Sequence, residues 1–173
     1  TFAEQKHLIT LNGTSNWLFH KCYFSGWRGD AIYLGSSDTG GGIERHNHNV
    51  HVINCVFDGI NRENRQAISA IDIDGLFVQN CTFTNCTKST MPGVIDCEPD
   101  TAPFHVIRNI WVCNNKFDSC GGNVGTVAVF LPSDALAVPQ NIFIENNTSI
   151  NSHQVSGGAF AAIVLPHTVS ATS

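Results

Sequence analysis

Charge is scarce in this 173-residue chain: Asp, Glu, Lys and Arg make up 13% of it, and the net charge is -5 at neutral pH. A nucleic-acid binder needs a dense basic surface, so this composition argues against that partner class. No stretch approaches about 18 consecutive apolar residues, so no transmembrane helix and no membrane insertion are expected. The first residues lack the charged-then-apolar pattern of a secretion signal. Residues 7–11 read instead as the last strand of an earlier coil, and the chain as a fragment of something longer. No Cys-x-x-Cys pair occurs; Cys81 and Cys86 are five apart and Cys113 and Cys120 seven apart, spacings that do not suit zinc. The triplet Gly40, Gly41 and Gly42 has no Lys-Ser/Thr after it and no helix to open, which excludes a phosphate cradle. No nucleophile elbow is present. No cofactor is expected.

What is present is a repeat. Residues 75–83 share a pattern with 16–24, 49–57 and 109–117, and more weakly with 141–149. The anchors Phe24, Phe57, Phe83, Phe117 and Ser149 lie 33, 26, 34 and 32 residues apart. A period of about 20 to 50 residues marks a solenoid, propeller or array. The unit is strand-like. Apolar residues alternate at Val50 and Val52, then at Cys55 and Phe57, and the parity slips at Asn54; the slip recurs after Val78 and Val112. Alternation that shifts by one at a fixed residue predicts a corner between two short strands. Asn suits that corner because it tolerates left-handed backbone. Further strands are predicted at 31–34, 67–71, 94–98, 126–130 and 159–163. Equivalent strands of successive coils would pair in parallel about 4.8 Å apart. The prediction is a single all-β domain over 1–173, a parallel β-helix of about five coils.

The columns of such a stack acquire physical meaning. Asn54, Asn80, Asn114 and Asn146 are expected to form an amide ladder along the corner, and Phe24, Phe57, Phe83 and Phe117 an aromatic stack inside. Cys22, Cys55 and Cys81 share a column and read as buried free thiols. The odd total of seven cysteines argues against a disulfide framework, and free thiols suit folding in a reducing cytoplasm.

Chemistry is expected where the regularity breaks. In 94–100, Ile95 and Cys97 should point inward, leaving Asp96 and Glu98 outward on one sheet face, with Asp100 just beyond. Asp72 and Asp74 close the corresponding strand of the preceding coil. Clustered carboxylates repel, and one of them keeps its proton near neutral pH. Unequal carboxyls are what glycoside hydrolysis uses, one as acid and one as nucleophile or base. Glu98 is the first choice for the acid, with Asp96 or Asp72 as its partner. Neighbouring loops carry Glu44, Arg45 and His48, and Arg62 and Arg65; Arg can grip acidic sugars bidentately. Tyr33 and Trp27 are candidates for stacking on sugar faces. Local ion pairs would explain Glu44 with Arg45, and Glu63 with Arg62 and Arg65, equally well. His46, His48 and His51 resemble a metal set, but His51 belongs on a strand and the other two on a loop, so no metal is expected.

The coil motif Asn-Val-x-Val-x-Asn-Cys-x-Phe, with 61–69 and 92–100 after it, resembles the pectate-lyase-like right-handed β-helices, and within them the receptor-binding tailspikes of bacteriophages. The resemblance covers about residues 8–165. It implies a homotrimer on the virion tail, folded in the host cytoplasm, that depolymerises bacterial capsule or lipopolysaccharide. It also implies acidic residues on an outer sheet face or between subunits, a habit that Asp96, Glu98 and Asp100 fit. Polysaccharide lyases and non-catalytic glycan-binding β-helices share the same coils and remain alternatives. The N-terminal particle-binding and C-terminal trimerisation regions usual in tailspikes are not visible in this stretch.

Overall fold

A computed structural model describes residues 6–38, 44–60, 64–99, 104–131, 139–152 and 159–164. In chain order the strands are β1 (Ile9–Asn12), β2 (Ser15–His20), β3 (Tyr23–Ser25), β4 (Ile32–Gly35), β5 (Ser37–Asp38) and β6 (Glu44–Arg45). Next come β7 (Asn47–Ile53), β8 (Val56–Asp58), β9 (Ile68–Ala70), β10 (Ile73–Gln79), β11 (Thr82–Thr84) and β12 (Ile95–Cys97). The last are β13 (Ile107–Cys113), β14 (Lys116–Asp118), β15 (Gly125–Phe130), β16 (Gln140–Glu145), β17 (Thr148–Ile150) and β18 (Ala159–Val164). No helix occurs among the described residues.

Three parallel sheets account for all but two strands. The first is β1-β4-β9-β12-β15-β18, the second β16-β13-β10-β7-β2 and the third β17-β14-β11-β8-β3; β5 and β6 form a small antiparallel pair. The chain visits the three sheets in turn and then returns to the first, one strand further along. This architecture is compatible with a parallel β-helix. Register follows the repeat: Val50, Leu76 and Ile110 align, as do Val56, Thr82 and Lys116. The strands predicted at 31–34, 67–71, 94–98, 126–130 and 159–163 are all present, in the first sheet.

Left-handed backbone makes the corners. Asn54, Asn80, Asn114 and Asn146 have φ of 56°, 53°, 59° and 53°. A second such column opens each repeat, at Asn16, Asn49, Gly75, Asn109 and Asn141, and Asn85, Ser119 and Asn151 belong to a third. Only the first column is legible in the alternation of apolar residues. Left-handed backbone costs an ordinary residue about 1–2 kcal/mol, and Asn or Gly less. Asn114 is exposed at its corner. Asn114→Ala is therefore expected to lower stability by about 1 kcal/mol and Asn114→Gly by less, measured by urea unfolding.

Inside, the phenylalanine stack is present. Phe24, Phe57, Phe83 and Phe117 follow one another with ring centroids 4.6, 4.8 and 4.7 Å apart and planes within 12°. The amide ladder is displaced by one residue from its expected column. No side-chain hydrogen bond joins Asn54, Asn80, Asn114 and Asn146 to one another among the described residues. The next column runs Cys22, Cys55, Cys81, Asn115 and Asn147, and there the side chains reach back one coil. The thiols of Cys55 and Cys81 approach the carbonyls of Phe19 and Val52 at 3.4 and 3.3 Å. Asn115 and Asn147 donate to the carbonyls of Val78 and Val112 at 2.9 and 2.7 Å, and Asn115 also donates to Asn147 at 3.0 Å. The corner amides point to solvent because the residue after the turn, not the turn residue itself, faces the core. The described cysteines are free, and six of the seven are buried.

Candidate functional site

The outer face of the first sheet is not bare. Asp96 pairs with Ser69 and Ala128 in the ladder, and its side chain leaves the core between Ile95 and Cys97 as the alternation requires. Yet Asp96 is fully buried. The segment before β9 covers it: the Gln66 amide donates to Asp96 Oδ2 at 3.1 Å, and Asp96 Oδ1 has no hydrogen-bond partner. Two outward carboxylates open to solvent were expected, but only Glu98 is partly exposed. Its backbone N–H donates to the Ala70 carbonyl at 3.0 Å, which continues the ladder past β12.

Electrostatics separate the two carboxyls. Burial, reinforced by the Glu98 charge, holds the Asp96 carboxyl well above the usual carboxylate range, with the Gln66 amide opposing. Asp30 joins the cluster from the preceding coil. It occupies the same place before β4 that Gln66 occupies before β9. Burial pushes its carboxyl up to about 7 against the pull of the Gln66 backbone N–H. Arg65 lies among these groups; burial holds its guanidinium below its ordinary value, against the opposing pull of Asp96 and Glu98. Its Nε is 3.4 Å from Asp30 Oδ1 but donates to the Gln66 side-chain oxygen at 3.0 Å, so Asp30 Oδ1 stays without a hydrogen bond. The cluster thus holds two proton-retaining carboxyls behind the partly exposed Glu98 and one arginine.

Asp72 is not part of it. It sits at the corner between β9 and β10, fully buried, and its Oδ1 accepts the Val106 backbone N–H at 2.9 Å. His46 Nδ1 lies 2.9 and 3.1 Å from its two oxygens. No bound chain can touch Asp72, so its expected role as direct partner of Glu98 does not hold. Asp74 is further along on the second sheet, gripped by Arg108 at 2.9 Å and Asn109 at 2.7 Å, with His48 Nδ1 3.8 Å away. Burial works to raise Asp74, but those two hydrogen bonds outweigh it and hold the carboxyl below its usual range.

The expected sugar contacts are scattered. Trp27 is 2% exposed, edge-on to Phe57 in the core, its indole N–H on the Arg65 carbonyl, so it offers no ring to a sugar. An indole needs one partner for its N–H and apolar cover for the rest, and the core provides both. Tyr33 lines the same outer column as Asp96 and is partly exposed, with one ring face covered by His7 at 4.4 Å. Arg45 is exposed, and Glu44 and Arg45 form β6 against β5. His48 is exposed beside Asp74. Asp100 and Arg62 lie outside the described residues. His46, His48 and His51 do not converge: His51 stacks on Phe77 at 4.4 Å, and no group of three or more His, Cys, Asp or Glu among the described residues is placed to hold a metal. Sequence reasoning missed Asp30, Gln66 and the His46–Asp72 contact. The signal for Asp30 and Gln66 was their shared place two residues before a strand of the first sheet. For His46 and Asp72 it was their shared place one residue before β7 and β10.

An outer aromatic ladder runs along the second sheet through His51, Phe77, Trp111 and Phe143, with centroids 4.4, 4.7 and 5.3 Å apart. Its inner rings cover one another's faces and stiffen the sheet, while Phe143 at the end of the ladder is exposed. Compared with known protein families, curated proteins and solved structures, the chain matches none.

Proposed function

We propose that the chain is a right-handed parallel β-helix of about five coils, and that it binds and cleaves bacterial surface polysaccharide by hydrolysis, as part of a homotrimeric phage tailspike. The observation that carries the chemistry is the pairing of buried, proton-retaining Asp96 with partly exposed Glu98 beside Arg65. Asp96 holds a proton beside Glu98. Glu98 is the member that reaches solvent, so it is the one to deliver that proton to a leaving glycosidic oxygen. Asp96 acts through it as a positioning residue. Arg65 would hold an acidic or polar sugar group close by. The tailspike assignment rests on the resemblance of the coil motif. A non-catalytic glycan-binding β-helix is the second reading, favoured by the complete burial of Asp96.

The test uses purified capsule or lipopolysaccharide and mass spectrometry of the products. Shortened chains with saturated ends are expected. Unsaturated, ultraviolet-absorbing ends would mean a lyase, and intact polymer despite binding would mean a binding module. Glu98→Gln is expected to reduce cleavage by about 100-fold or more with binding unchanged; full activity in that variant would remove Glu98 from the site.

A further inference from the structure

Hydrolysis through Glu98 leaves one role unfilled. The second group must take a proton from the attacking water, or attack the sugar itself. Asp96 is buried and supplies the proton that Glu98 passes on, and Asp72 is buried and engaged. What Asp72 does instead is hold a histidine. The Asp72 Oδ1 accepts the Val106 N–H, and a carboxylate can only accept from a histidine ring. We read the 2.9 Å contact with His46 as a hydrogen bond donated by Nδ1–H. A neutral imidazole with its proton on Nδ1 has its lone pair on Nε2. That nitrogen has no hydrogen-bond partner among the described residues, and the His46 side chain is 22% exposed while Asp72 is 0% exposed. A buried carboxylate behind a partly exposed imidazole is the orienting half of a general-base arrangement.

Position relates this pair to the carboxyl cluster. Glu98 N–H bonds to Ala70, and Asp72 follows Ala70 by two residues. His46 precedes Asn47, which pairs with Ile73, so His46 is level with Asp72 on the neighbouring strand. Glu98, Asp72 and His46 thus belong to successive coils at one corner between the first and second sheets.

We propose that His46, oriented by Asp72, is a proton-accepting base facing that corner, and that it acts on water or a hydroxyl group beside a bound polysaccharide chain. This rests on the polysaccharide reading for its substrate, but not for its geometry. In the hydrolytic step the water proton passes to His46 Nε2, and the imidazolium is stabilised by the Asp72 carboxylate. The electron pair left on the water oxygen forms the bond to the anomeric carbon. The glycosidic C–O bond breaks, and its electron pair takes a proton from Glu98, which regains one from Asp96, leaving Asp96 as the carboxylate.

Two measurements on the chain itself decide the geometry without substrate. Long-range proton–nitrogen NMR should find neutral His46 with its proton on Nδ1, against the usual preference of free imidazole for Nε2. Carbethoxylation by diethylpyrocarbonate, followed by peptide mass spectrometry, should modify His46 several-fold faster in the wild type than in Asp72→Asn. An Nε2–H tautomer overturns the proposal even if the chain cleaves polysaccharide, and does so whether or not Asp72→Asn folds. Unchanged carbethoxylation in a folded Asp72→Asn also overturns it. If capsule is cleaved, His46→Gln should lower turnover by about 100-fold or more while binding of the polymer holds; unchanged turnover overturns the catalytic role. If the wild type cleaves nothing, the hydrolase reading fails by itself, and the tautomer and reactivity still decide whether His46 is held as a base.

Discussion

Asn47→Ala is expected to destabilise the fold by about 4 kcal/mol, read as the loss of unfolding free energy in urea. Asn47 is completely buried at the start of β7. Its amide nitrogen reaches the carbonyls of Leu11, Gly35 and Asp72 at 3.1, 2.7 and 3.0 Å. Its oxygen accepts from the backbone N–H and hydroxyl of Thr14 at 3.1 and 3.2 Å. These partners lie at or just past the ends of β1, β4 and β9, and between β1 and β2, so one side chain ties three successive coils where the chain turns from the first sheet to the second. Truncation strands several buried backbone groups at once, each costing about 1–3 kcal/mol if left unsatisfied. Partial relaxation and entering water bring the sum down. Domains have about 5–15 kcal/mol in total, so the variant should stand close to unfolding. Asn47→Asp has the right shape but turns a carboxylate oxygen toward three carbonyls, and is expected to lose at least as much. A loss below about 1 kcal/mol in Asn47→Ala would mean that the corner is held by strand pairing instead.

Asn47 also marks what a sequence can and cannot disclose in this fold. The phenylalanine stack was legible because one coil repeats the next, so Phe57, Phe83 and Phe117 align by inspection. The strands of the first sheet were legible from their apolar alternation. The corner column at Asn54 was legible from a parity slip. Asn47 makes all its contacts at right angles to the chain, with residues 12 to 36 positions away, and nothing in its local pattern differs from an Asn in a loop. The carboxyl cluster shows the same limit. Alternation gave the direction of Asp96 correctly, out of the core. It could not give burial, because the cover comes from Gln66, in a connection outside the coil motif. Likewise Asp72 and His46 look like two unrelated loop residues until β7 and β10 are placed side by side. Periodicity specifies what faces inward; what covers the outer face is set by the irregular connections.

That covered face predicts an unusual response to pH. Asp30→Asn should stabilise the chain at pH near 7.5 by ~4 kcal/mol relative to its effect near pH 4. The sign follows from the direction in which Asp30 is moved. Its carboxyl is raised from 3.8 to about 7 in the folded chain, mainly by burial. Below the unfolded value both states are protonated, and the group's contribution is fully present. As pH rises past 3.8 the unfolded chain gives up the proton while the folded chain keeps it, so stability falls steadily until about 7 and then levels off. Asn imitates the protonated acid and has no proton to lose, so the difference between variant and wild type isolates the titration. Asp96, also raised by burial, adds a loss of the same sign to both proteins, and Asp96→Asn should flatten it. His7, whose Nδ1 is 3.2 Å from Asp30 Oδ2 and which burial holds below 6.5, works the opposite way as pH falls through that value. Asp58, Asp74 and Asp118 are held below their usual range and affect stability only at more acid pH. Urea midpoints for wild type and Asp30→Asn, taken from pH 4 to 8, should diverge as pH rises. Parallel curves would show that Asp30 ionises in the folded chain as it does in water, with Arg65, whose Nε is 3.4 Å away, swinging over to accompany the charge.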